Sequence, residues 1–130
     1  MIEKFRTTLE QIRQNGDIAL FAVLKMDDLT DKWSVFFCAP RVTNENRGDI
    51  FAEILSSLRF TMTNEELSTI ARIVVMATPD HLMDELMQLR TNTHIGGESS
   101  VRVNGNMIHD GYILEVNKDL IVPITQTPSA

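Results

Sequence analysis

Residues 18–24, Ile-Ala-Leu-Phe-Ala-Val-Leu, run without a polar side chain to mark an outer face. A short run of that kind reads as a strand buried on both sides, so the chain has to build a sheet around it. Residues 33–39, from Trp33 to Ala39, form a second apolar strand after a short polar connection (Asp27-Asp28-Leu29-Thr30-Asp31-Lys32). Two strands joined so closely are most simply an antiparallel hairpin. Pro40 has no N–H for a ladder and ends the second strand.

Helical periodicity brackets this hairpin. Ile2, Phe5, Leu9 and Ile12 recur at helical spacing, and Asn15-Gly16 stops the helix, both residues tolerating the left-handed conformation of a C-terminal cap. Downstream, Ile50, Phe51, Ile54, Leu55 and Leu58 trace one helix face. Thr63 and Glu66 have the spacing of a capping box, which predicts a short second helical segment with Leu67 and Ile70 facing inward. Residues 73–77 form the third strand. Thr78-Pro79 starts a third main helix carrying Leu82, Met83, Leu86, Met87 and Leu89, a capping hydroxyl followed by proline at the first helical position.

Gly96-Gly97 breaks the chain again, and Gly96-Gly97-Glu98-Ser99-Ser100 reads as a loop. Asn104-Gly105 and Asp110-Gly111 are both hairpin-turn dipeptides. The spacing predicts a strand over 101–108 paired with another over 112–116. The resulting order points to one α/β (α+β) domain of two or three layers. Its mixed sheet has about five strands, with an initial hairpin, a helical crossover and a C-terminal hairpin. The crossover makes the second and third strands parallel, with their C-terminal ends side by side. Residues 1–118 are read as this single domain and 119–130 as a C-terminal arm or tail. The apolar segment 120–124 contains Pro123 and suits an edge strand or an extended arm, which favours a homodimer.

Composition narrows the function. At 130 residues the chain has the usual length of one domain, and its formal charge is −6, from 12 basic against 18 acidic residues. That balance disfavours nucleic acid and anionic membrane surfaces, which require a positive field. The charged N-terminal residues do not read as a signal peptide, and no apolar run approaches the roughly 20 residues of a membrane-spanning helix. A cytoplasmic location is the expectation. Cys38 is the single cysteine and lies among Phe36, Phe37 and Ala39, which reads as a buried structural thiol. His81, His94 and His109 lack the i, i+4 spacing of a helical metal site, with His94 read in a loop and His109-Asp110 at a turn. No metal and no cofactor is expected.

Two function classes remain. One is a non-enzymatic protein-interaction or regulatory domain, supported by the acidic surface and by a chain consumed almost wholly by scaffold. The other is a small ligand-binding domain or enzyme with its site at the C-terminal ends of the parallel strands, where ligands favour sheets of this type. There Arg41, Asn44, Asp80 and His81 can be grouped: an arginine to hold an anion, and an Asp-His pair at a helix N-terminus. No residue supplies a third catalytic partner. A nuclease reading built on Pro79-Asp80 fails for want of a correctly spaced lysine: Glu98-Ser99-Ser100 has none, and Glu115-Val116-Asn117-Lys118 is one residue too long. The glycines at 96 and 97 lead into a strand, whereas a phosphate cradle needs a helix N-terminus. Seven methionines are read as core filling.

Overall fold

The structure, a computed structural model, describes residues 2–26, 32–77, 90–103 and 106–117. Its elements are α1 (Ile2–Arg13), β1 (Leu20–Met26), β2 (Trp33–Cys38), α2 (Arg47–Thr61), α3 (Asn64–Leu67), β3 (Ile70–Met76), β4 (Thr93–Val103) and β5 (Asn106–Val116). The strands form a mixed five-stranded sheet in the order β3-β2-β1-β5-β4. The fold is therefore α/β, as the sequence pattern implied. The third helix expected over 78–89 and the arm expected over 119–130 lie outside the described residues.

β1 is the strand predicted from the apolar run, displaced two residues along the chain. Leu20, Phe21, Ala22, Val23 and Leu24 are all 0% exposed, because β1 lies between β2 and β5 and alternates its side chains between two cores. On one face Phe21 and Val23 join Val35, Phe37 and Leu114, covered by Phe5, Leu9 and Ile12 of α1 and Ile50, Ile54 and Leu58 of α2. On the other face Leu20, Ala22 and Leu24 join Phe36, Cys38, Ile95, Ile108 and Ile113, and no residue of α1, α2 or α3 belongs to that cluster. Burying each large side chain contributes roughly 1.5–3 kcal/mol.

β1 and β2 pair antiparallel, with Leu20 opposite Cys38 and Leu24 opposite Ser34. β2 and β3 are parallel, with Val35 opposite Ile73 and Cys38 opposite Met76. The hairpin and the crossover are both as expected. Trp33 is buried at the start of β2, its ring edge-on to Phe5 at 5.9 Å between centroids.

α1 stops where Asn15-Gly16 said it would. The Asn15 and Gly16 amides donate to the Ile12 and Arg13 carbonyls at 3.0 and 3.2 Å. Gly16 has φ +152°, and a Cβ there would meet Arg41 Cδ at 3.0 Å. The capping box forms in both directions. Glu66 N–H donates to Thr63 Oγ1 at 3.2 Å and Thr63 N–H to Glu66 Oε1 at 2.9 Å. The helix it opens lasts only four residues. The Ser68 and Thr69 hydroxyls take the Glu65 and Glu66 carbonyls, and the β-branched stretch after them favours a strand. Ile70, expected in that helix, instead opens β3.

Three expectations about the C-terminal half need correction. The hairpin does not turn at Asp110-Gly111: β4 and β5 pair with Val103 opposite Asn106, and Asp110-Gly111 lies within β5. Gly111 serves close approach, since a Cβ there would sit 2.6 Å from Leu24 Cδ2 and 3.1 Å from the Val23 carbonyl oxygen. Gly96-Gly97 does not break the chain and the segment 96–100 is not a loop. It runs inside β4, where the register against β5 shifts between Gly96 and Val101, and glycine within a strand marks such an irregularity. Accordingly His94 is in β4, and His109 and Asp110 are in β5 rather than at a turn.

Candidate functional site

The parallel strands β2 and β3 end side by side at Cys38 and Met76, and Arg41 and Asn44 follow β2 in the loop to α2. This loop is braced by its own polar groups. Asn46 Nδ2 donates to the Arg41 carbonyl at 2.7 Å, Thr43 N–H to Asn46 Oδ1 at 2.6 Å, and Asn46 N–H to Thr43 Oγ1 at 3.1 Å. The Arg41 guanidinium forks onto Glu53 of α2, with Nη2 to Oε2 at 2.7 Å and Nη1 to Oε1 at 3.4 Å. Among the described residues its buried Nε has no hydrogen-bond partner. Asn44 Oδ1 accepts from Arg47 Nη2 at 3.5 Å on the surface. Asp80 and His81 lie outside the described residues. Arg41 and Asn44 thus share a loop but face different partners, and an anion approaching Arg41 has to compete with a carboxylate already in bidentate contact.

Cys38, at the end of β2, is buried, and that burial pushes its thiol up from 9.0 to about 11. The thiol form persists at neutral pH, consistent with a structural residue. Among the described residues, no group of three His, Cys, Asp or Glu side chains is arranged to hold a metal ion. No helix among them is long and apolar enough to cross a membrane.

One polar cluster was not foreseen. His94 Nε2 is 2.9 Å from Asp110 Oδ1, and the imidazole stacks on Tyr112 at 4.5 Å and 12°. Tyr112 in turn leans on Trp33, over which Lys25 Nζ lies at 4.7 Å from the ring centroid. The pair is exposed. Counting outward from a regular two-residue turn at 104–105 would put His94 opposite Glu115. The irregularity after Gly96 puts it opposite Tyr112 instead.

An apolar feature lies where α2 meets β3. A cavity of about 350 Å³ lies there, lined by Phe51, Leu55, Leu67, Ile70, Ala71 and Ile73, among others. Phe51 was expected on the inward face of α2 with Ile50 and Ile54, but it is 39% exposed. The apolar stripe of α2 is wider than the core can cover, and its outer margin rims this groove. β3 is the terminal strand of the sheet, and among the described residues no strand pairs with its outer side. The Ala39 N–H donates to the Met76 carbonyl at 3.2 Å, so Met76 directs its backbone groups towards β2. By strand alternation Val75 and Ile73 direct theirs outward. A register shift between Trp33 and Ser34 leaves Ala71 without a counterpart on β2, a bulge that ends the regular edge. The edge therefore presents two outward residues beside an apolar groove.

Comparison with protein-family models, curated proteins and solved structures finds no match.

Proposed function

We propose that this chain is a protein-interaction domain that takes an extended segment of its partner along the outer edge of β3, beside α2. The observation that carries this reading is the edge at Ile73 and Val75, unpaired among the described residues, adjoining a groove rimmed by the partly exposed Phe51. An added strand gains main-chain hydrogen bonds along such an edge, and its alternate side chains fill the neighbouring pocket. Beyond the bulge at Ala71, the edge sequence carries little of the usual protection. Its residues are Ile70-Ala71-Arg72-Ile73-Val74-Val75-Met76, with neither lysine nor proline. Arg72, the one charge, turns to the other face, where its Nε donates to Ser34 Oγ at 2.8 Å. The alternative, a ligand site or enzyme using Arg41, Asn44, Asp80 and His81, draws less support, since the Arg41 charge is matched by Glu53.

Selection of binders from a random linear peptide library against the full chain tests this. The expected binders slow hydrogen exchange at the Ile73 and Val75 amides and lose affinity at least tenfold in Phe51→Glu. Binders that protect only the loop after β2, or a melting point raised by small anions and unresponsive to them in Arg41→Ala, would favour the alternative.

A further inference from the structure

We infer that the segment received by the β3 edge comes from a second copy of this chain, the two β3 strands pairing antiparallel about a two-fold axis at Val74. The inference rests on the reading of that edge as a binding surface and adds the identity of the occupant. Its basis is self-complementarity. The outward groups sit on Ile73 and Val75, two residues apart with Val74 between them. An axis through Val74 places Ile73 of each copy opposite Val75 of the other, and each such pair exchanges two N–H···O bonds. All the outward groups of the regular edge are then satisfied at once. An axis at either neighbouring residue leaves one of the two without a partner on the regular edge.

The side chains agree with that register. Val74 meets Val74 of the second copy, a β-branched pair of the kind that stabilises cross-strand contacts. Arg72 falls opposite Met76 of the other copy, so no two like charges face each other. The parallel crossover makes α2 run back against the direction of β3. Its early turns, with Phe51, therefore lie alongside the C-terminal half of β3, where the axis passes. Gly48 and Ala52 are exposed next to Phe51, and the space around Gly48 is open, leaving room for the second α2. The bulge at Ala71 bounds the pairing on one side, which limits it to a closed pair.

Light scattering of the full chain over a wide concentration range reads the result. The expected mass is twice 14.7 kDa. Val74→Lys, which sets two ammonium groups face to face across the axis, is expected to give monomers, as is Val74→Glu alone. Mixing the two variants is expected to restore a dimer that contains one of each. Phe51→Glu, a change at a partly exposed position of α2, is expected to weaken the dimer of the folded protein at least tenfold. A monomeric wild type at every concentration overturns the inference, while the open-edge reading is judged separately by the peptide experiment. A dimer that survives Phe51→Glu undiminished, or folded Val74 variants that stay monomeric when mixed, overturns it as well.

Discussion

At the scale of single residues, Trp33 makes contacts of several kinds. It is 7% exposed, meets Phe5 edge-on, leans on Tyr112 and lies under the Lys25 ammonium. Removing the indole leaves a cavity between α1 and the sheet, so Trp33→Ala is expected to cost about 3–5 kcal/mol. The shift in the urea midpoint, followed by circular dichroism, measures it, and an unchanged midpoint would contradict this packing. The burial of Trp33 was legible in the sequence, because Val35 and Phe37 alternate with it on one side of a strand. Its neighbour Tyr112, and His94 stacked on Tyr112, were not, because they come from strands far along the chain whose register no local pattern records. Gly111 teaches the same lesson. Asp-Gly is a turn signature, yet here the missing Cβ admits Leu24 Cδ2.

At the scale of elements, the turn that opens α3 ties α1 to the crossover. Glu66 closes the capping box and also accepts from the Lys4 ammonium of α1. The hydrogen bond from Lys4 chiefly, and those from Thr63, hold its carboxyl down from 4.5 to about 2. Because the folded state lowers this pKa, folding favours the ionised form. The stabilisation is complete above pH 4.5 and is lost as pH falls from there through about 2. Glu66→Gln is therefore expected to flatten the acid limb of the stability curve between those values, and Lys4→Met to remove most of the same dependence. Urea titrations at a series of pH values check this, and parallel curves for wild type and variant would refute it. The box itself was legible, since both partners lie within four residues. The Lys4 contact spans 62 positions and follows only from how α1 packs near α3.

At the scale of the molecule, β1 is central in the sheet order and buried on both faces, whereas β3 is terminal and only partly covered. Native-state hydrogen exchange is accordingly expected to find the slowest amides in β1, opening only with global unfolding. Val75 and Ile73 are expected to exchange faster in the dilute protein than when it is concentrated. β1 amides released by a smaller opening would show that the two cores do not unfold as one. The sequence by itself determined the α/β class, the doubly buried strand, the first hairpin, the parallel crossover and the capping box. Each depends on periodicity or on side chains within a few residues of each other, and such local preferences act before the chain has collapsed. Only the tertiary structure decided that Gly111 admits a neighbour, that His94 meets Asp110, that Glu53 occupies Arg41, and that β3 ends the sheet with Phe51 beside it. Those outcomes depend on strand order and on an irregular register, which arise from long-range pairing and core packing.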